Sequence, residues 1–433
     1  MNLDRRTFLQ NLGVGTVGAW ALGATSHAAT SAAPASSVAA ALPAFSASTS
    51  GAYWRAVRAL FPLLDTPAYL NVGGLGPTSQ PVLDKVFSTM LKLQEHSETG
   101  YALIDPARDI VAKFLGAKPS EICFTRNATE GNDIIASGLS LKEGDEVIFE
   151  SHAHPGGSFP WFNQAKLRGV KVKLFEPDNA SPEANLARIR GLVTPRTKVI
   201  QVSHITCTDG VVMPVRAIAE FCAARGIWFH IDGAQAVGMI PVNLNAIGCD
   251  SYAISGHKWL GAPHESGVFY LRIDKLEEVA VTSIGAHSGE LPILPGEIKL
   301  YGSAQRYEYG TRNAGIMVGV AEAVHLQERI GIDRIAAYGR DMATYLQREL
   351  TRIDGIVLRT PRHDEMRGSL TTICHPRATA GKFFTYLMEE HHLRCRPVTE
   401  QNLNAVRIST HVFNSHAECE RVVAGVKASI KAL

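Results

Sequence analysis

The sequence predicts an α/β protein: a largely parallel sheet covered by helices, followed by a smaller α+β lobe. Two observations carry this. Between about residues 120 and 272, short runs rich in β-branched and aromatic residues alternate with runs of helical spacing; strands separated by helices of that length form βαβ units. After Arg312 the pattern changes to two long amphipathic helices, short strands and a closing helix. In such sheets ligands sit outside the carboxyl ends of the strands, so the strand ends are where chemistry is sought.

In chain order, residues 1–28 (MNLDRRTFLQNLGVGTVGAWALGATSHA) carry paired arginines, Arg5 and Arg6, then Phe8 and Leu9. A weakly apolar stretch and the small-x-small pattern Ser26-His27-Ala28 follow. This layout is similar to a twin-arginine export signal. It implies the twin-arginine export machinery as a partner, a periplasmic or exported location, and folding before export. The apolar run is short and weak for a membrane span, so no stable span is expected in the mature form. Gly13, Gly15 and Gly18 fit GxGxxG literally, but no strand precedes them and no nucleotide loop is assigned. Residues 29–50, rich in Ala, Ser and Pro and without charge, read as a flexible linker.

The remainder divides into a large domain over residues 51–312, part of whose amino-terminal segment joins the smaller lobe, and a small domain over 313–433. Helices are expected over 81–96 and 106–117, a strand over 121–125, a helix over 127–141 and a strand over 145–150. A helix over 156–169 then separates that strand from one over 170–176. A strand over 197–205, a helix over 214–226 and strands over 227–232, 250–255 and 267–272 complete the large domain. Long helices over 314–331 and 332–353 make the connection to strands over 369–376 and 405–413 and a last helix over 416–430.

Lys plus Arg is 43 against 41 for Asp plus Glu, a net charge of +2, so no global field favours nucleic acid or an anionic membrane as partner. Seven cysteines are scattered without CxxC spacing, which indicates neither a disulfide framework nor a metal site. Free thiols in an exported protein agree with export after folding.

Strand 227–232 (IWFHID) ends in Asp232, with Gln235 just beyond; DSYAISGHKWLGAP brings Ser255, His257 and Lys258 to the next strand end. A buried, unpaired lysine is costly, so a lysine there needs an occupation. The helix start RNATEGND offers Ala128 and Thr129, whose backbone N–H groups are free to take a phosphate. Singly, each residue has a plainer reading: Asp232 and Thr129 as helix caps, His257 as a packed core side chain, Arg407 as an exposed strand residue. Together they fit pyridoxal phosphate, whose aldehyde condenses with a lysine, whose phosphate needs a helix amino end and hydroxyls, and whose ring nitrogen needs a carboxylate. The bound substrate is then a small-molecule amine or an amino-acid-containing compound.

In this order the segments FHIDGAQAVG, DSYAISGHKWLGAP and GVFYLR resemble the class V aminotransferase group of fold-type I pyridoxal-phosphate enzymes, from about Tyr69 to the carboxyl terminus. That group includes cysteine desulfurases, selenocysteine lyases and isopenicillin N epimerase-like proteins. The resemblance implies a mostly parallel, seven-stranded sheet in the large domain. It implies Lys258 as the Schiff-base lysine, Asp232 as partner of the ring nitrogen and Gln235 as contact of the ring hydroxyl. Ala128, Thr129, Ser255 and His257 match phosphate contacts. Thr311, in YEYGTRN, matches a threonine that reaches the phosphate from the other subunit of a homodimer. Arg407, in AVRISTHVFNS, matches the arginine that clamps the substrate α-carboxylate, a task suited to a planar guanidinium. Asn71, in the Gly/Pro-rich mouth segment YLNVGGLGPTS, is a further substrate-contact candidate.

Three departures matter. Where the family stacks a ring on the cofactor, FESHAHPGG offers His152 and His154, of which His152 is favoured. HITCTDG has Cys207 where many relatives have asparagine. Cys395 stands early in RCRPVTEQNLNAVRIST and does not match the mobile persulfide cysteine of desulfurases. The resemblance is nearest to isopenicillin N epimerase-like members. The expected reaction is therefore epimerisation or transamination at the α-carbon, with Lys258 as general base and His152 or His154 as a candidate second acid. The alternatives are β-elimination of the desulfurase or lyase type and a non-catalytic relic that still binds the cofactor.

Overall fold

In the computed structural model, which describes residues 42–433 apart from 47, 49 and 291–295, the chain starts with helix α1 (Ser50–Arg58) and the two-residue strand β1 (Ala68–Tyr69). Helices α2 (Gln80–Gln94) and α3 (Ile104–Leu115) follow. Strands and helices then alternate: β2 (Ile122–Thr125), α4 (Ala128–Gly138), β3 (Glu146–Glu150), α5 (Pro155–Arg168), β4 (Lys171–Phe175), α6 (Pro182–Leu192) and β5 (Thr197–Ser203). Next come α7 (Val215–Ala223), β6 (Trp228–Asp232), the single turn α8 (Leu244–Ile247), β7 (Ser251–Ser255) and β8 (Gly267–Leu271). The export signal and most of the linker expected from the sequence lie outside the described residues.

These strands form one seven-stranded sheet in the order β2-β8-β7-β6-β5-β3-β4. β4, β3, β5, β6 and β7 pair in parallel, and β8 runs antiparallel to both its neighbours. The mostly parallel, seven-stranded sheet implied by the resemblance is therefore present. β3, β6, β7 and β8 are buried along their whole length, as strands covered on both faces must be. One face packs Ile148, Val202, Ile231 and Ile254 against Leu115 and Ile218. The other packs Phe149 and Phe269 against Ile135 and Trp161.

The second half continues with α9 (Ala314–Ile330), α10 (Ile332–Leu350), β9 (Val357–Leu358), β10 (Leu370–Cys374), α11 (Ala380–His391), β11 (Leu393–Arg394), β12 (Arg396–Val398), β13 (Ala405–Ser409) and α12 (His416–Ala432). β12, β13, β10 and β9 make a four-stranded antiparallel sheet. Its own core joins Leu346, Phe383, Leu387, Val406 and Val422. β1 pairs in parallel with β11, and Ala68 and Leu70 join this second core. α9 buries Met317, Val320 and Val324 in the core of the large sheet.

The sequence reading omitted α1, α6, the single turn α8, α11 and the short strands β1, β9, β11 and β12. For α6 a signal existed: Ser181 caps the helix by accepting from the Ala184 N–H at 3.1 Å, and Pro182 and Glu183 occupy its first turn. Its apolar stripe is faint because only Asn185 and Ile189 are buried. Periodicity alone therefore misses it.

The sheet edge at β2 is held by a buried ion pair. Arg108 on α3 and Glu308, each 4% exposed, make two side-chain hydrogen bonds at 2.6 and 3.1 Å. Glu308 also accepts from the Phe124 N–H at 2.6 Å, while Arg108 donates to the Ile122 carbonyl at 2.9 Å. Removing one partner leaves an uncompensated buried charge, which typically costs about 3–5 kcal/mol. Glu308→Ala is expected to lower stability by that amount, read as a lower denaturation midpoint at unchanged denaturant slope. An Arg108→Met/Glu308→Leu double variant is expected to lose less.

Candidate active site

The site is assembled where β6 and β7 end. Asp232 closes β6 and Ser255 closes β7. The turn after β7 is pinned by Gly256 N–H donating to Ser266 O at 2.9 Å and Gly261 N–H donating to Lys258 O at 3.1 Å. The segment before α2 lies directly on this turn: Gly76 N–H donates to His257 O at 2.7 Å. A Cβ at Gly76 would sit 1.9 Å from the Lys258 carbonyl oxygen, so only glycine allows the approach.

α4 starts at the same rim. Asn127 caps it, its side chain accepting from the Glu130 N–H at 3.1 Å, and the Ala128 N–H donates to Ser255 Oγ at 3.2 Å. That bond ties the helix amino terminus to the end of β7. From the smaller lobe, β13 brings in Arg407, which is 1% exposed. Arg407 Nη2 donates to Asn71 Oδ1 at 3.0 Å and Nη1 to the Cys207 carbonyl at 2.5 Å, while Nε is buried without a partner.

Between these elements lies a cavity of about 230 Å³. Lys258, Asp232, Gln235, Ser255, His257 and Arg407 line it, together with Ala128 and Thr129 at the helix start. A larger hollow of about 660 Å³ sits around Lys198 and Trp228, at the amino ends of β5 and β6. That is the opposite rim from the one ligands use in such sheets.

Three predicted residues lie elsewhere. His152 does not line the cavity; His154 does, which corrects the preference for His152 as the ring that stacks on the cofactor. The reason is local. His152 is 4% exposed, with Nε2 3.0 Å from Glu176 Oε1 and Nδ1 2.8 Å from Thr208 Oγ1 and 3.4 Å from Asp209 Oδ2. Although burial works against its charge, the two carboxylates raise its pKa above the ordinary histidine value. His154 is the N-cap of α5, its Nδ1 accepting from the Gly156 N–H at 3.0 Å, so its other nitrogen is left for the cavity. Thr311 is exposed and borders a separate hollow with Arg126 and His264. Asn71 does not line the cavity; its Oδ1 accepts from Arg407 Nη2 and its carbonyl from the N–H of Gly74, both of which do.

Arg396 was missed. It lines the cavity and stands directly opposite Arg407 across the β12–β13 pair. Like charges face to face on a sheet are unfavourable. Glu400 pairs with one Nη of Arg396, and the other Nη is buried without a partner. Burial first, then Arg396, brings the Arg407 pKa down to about 10. Burial also lowers the Lys258 pKa, against the opposing pull of Asp232. Cys207 borders the cavity with its thiol pushed up by burial. Cys395 packs in the core of the smaller lobe, its thiol pushed up to about 12 by burial.

A lysine of lowered basicity, a carboxylate, a helix amino terminus and a buried arginine with an unpartnered N–H meet at one cavity, the set of groups that a phosphorylated aldehyde calls for. The chain belongs to the aminotransferase class-V family, whose model matches residues 85–422. It is 28% identical over 375 residues to the isopenicillin N epimerase of Amycolatopsis lactamdurans, covering 83% of this chain and 94% of that one. It is 30% identical over 308 residues to a protein of Methanothermobacter thermautotrophicus named "Probable cysteine desulfurase", covering 69% and 76%. The solved apo cysteine desulfurase of Thermococcus onnurineus NA1 superposes with a TM-score of 0.79 at 26% identity, covering 88% of this chain and 98% of that one. The cofactor is pyridoxal phosphate, and the residues present fit it: an amine, a carboxylate and phosphate-binding groups converge on one small cavity.

Proposed function

We propose that this enzyme acts at the α-carbon of an amine bearing a carboxylate, moving its α-proton in an epimerisation or transamination. The observation that carries this reading is the placing of the thiols. Removal of sulfur through a persulfide needs an accessible cysteine at the site. Of the seven free cysteines, Cys207 alone lines the cavity, and it is buried with its thiol pushed up by that burial; Cys374 is half-buried and the other five are buried, all away from the cavity.

Pyridoxal phosphate, when bound, supplies an aldehyde to capture the amine and an electron-withdrawing ring that acidifies the α C–H. Asp232 keeps a proton at the ring nitrogen. The start of α4 with Ser255 and His257 holds the phosphate, and His154 covers the ring. Arg407, backed by Arg396, orients the substrate carboxylate. Lys258 would hold the aldehyde when the cofactor binds and, as a free amine, would take the α-proton; its lowered pKa leaves more of it neutral and able to do so.

The same reading takes Thr311 from a second subunit. An exposed apolar stripe on α2, including Phe87 at 68% and Leu91 at 59% exposure, lies beside Asn313, whose Nδ2 is 3.8 Å from Met90 Sδ. Its burial in a homodimer would bring the Thr311 segment to the interface. The reading also keeps the expectation of export by the twin-arginine route to the periplasm, carried by residues 1–28.

The test is incubation of cofactor-loaded protein with a panel of amino acids in deuterated water. Deuterium is expected at the α-carbon of at least one, without sulfide release from cysteine. Sulfide release with no exchange on any other amine contradicts the reading. Arg407→Ala is expected to raise KM by roughly 10- to 100-fold, the worth of hydrogen bonds to a charged group.

A further inference from the structure

Behind Asp232 runs a buried line of four polar side chains. Asn132 Nδ2 donates to Asp232 Oδ2 at 2.9 Å, and Asn132 Oδ1 lies 2.8 Å from His230 Nε2. His230 Nδ1 is 2.8 Å from Ser251 Oγ, to which Trp228 Nε1 donates at 3.0 Å. Asn132, His230 and Ser251 are at most 1% exposed, and Trp228 and Asp232 are each 7% exposed. Water is thus excluded from the middle of the line.

Its direction is fixed at both ends. An indole N–H can only donate, and a carboxylate can only accept. Ser251 Oγ receives the indole proton and gives its own to His230 Nδ1. The remaining imidazole proton, on Nε2, goes to Asn132 Oδ1, which turns the amide NH2 toward Asp232. The second N–H of that amide donates to the Gly156 carbonyl at 3.2 Å, so all three groups in the middle are satisfied. Burial holds His230 neutral, with a pKa of about 4, as a single imidazole proton requires. The amino end of α5 closes over the pair: a Cβ at Gly157 would lie 3.0 Å from Asp232 Oδ2.

We infer that Asn132, His230, Ser251 and Trp228 are positioning residues that orient the Asp232 carboxylate toward the cofactor ring nitrogen. The inference rests on the role given to Asp232 above. Without the His230 proton, the Asn132 Oδ1 loses its donor, and the amide is held toward Asp232 only by its bonds to the carboxylate and the Gly156 carbonyl.

The test is the rate at which loaded protein loses its cofactor on dilution, read together with the absorbance of the bound cofactor. His230→Leu is expected to release the cofactor roughly tenfold faster, the worth of one hydrogen bond to a charged group, with a shifted absorbance maximum. His230→Gln, which can accept from Ser251 and donate to Asn132, is expected to stay close to the wild type. Should His230→Leu fail to fold, Trp228→Phe removes only the leading donor and is expected to show faster release in the same assay. A wild-type release rate and spectrum in the folded variant overturn the inference. A wild type that takes up no cofactor overturns the underlying reading instead.

Discussion

Lys258→Ala is expected to abolish covalent capture of pyridoxal phosphate and to lower α-proton exchange by at least about 10³-fold. Loss of a positioned general base alone removes roughly 10²–10⁴, and the same side chain is the nucleophile toward the aldehyde. The fold should persist, because the turn around residue 258 is held by backbone hydrogen bonds of Gly76, Gly256 and Gly261. The pH dependence of capture has a definite sign. Only the neutral amine attacks, so capture rises with pH; burial lowers the Lys258 pKa below 10.5, so the rise comes earlier than for an exposed lysine. Stopped-flow absorbance after mixing apo-protein with the cofactor measures both.

Asp232→Asn is expected to keep the cofactor bound to Lys258 while lowering turnover by roughly 10²–10³, the usual loss on removing one placed electrostatic group. An amide oxygen can still accept from the Ala234 N–H, now 3.0 Å from Asp232 Oδ1, while the new NH2 in place of Oδ2 loses the bond from Asn132 Nδ2. The missing charge no longer holds a proton on the ring nitrogen. Asp232 also raises the Lys258 pKa, so its removal should move the capture profile of the first experiment to lower pH. Turnover and capture thus separate in this variant and fail together in Lys258→Ala.

Much of the site was legible because the sequence places its parts close together. Asp232, Gln235, Ser255, His257 and Lys258 fall within 27 residues at two neighbouring strand ends, and strand ends show in the apolar pattern. What could not be read depends on pairing across the fold. Arg396 matters because β12 lies antiparallel to β13 and sets it opposite Arg407, a register that no local pattern encodes. The Asn132–His230 bond joins a helix to a strand 98 positions apart. The choice between His152 and His154 turned on where α5 begins. Pro155 opens the helix, so residue 154 caps it beside Lys258 and residue 152 turns away toward Glu176.

The central claim is that the side-chain nitrogen of residue 258 carries the cofactor. Borohydride reduction of the freshly purified protein, followed by proteolysis and mass measurement of the peptides, tests it most directly. The peptide containing Lys258 should carry the added mass of one reduced pyridoxal phosphate. An unmodified Lys258 after the cofactor has been supplied, or the same mass on a different lysine, contradicts the account.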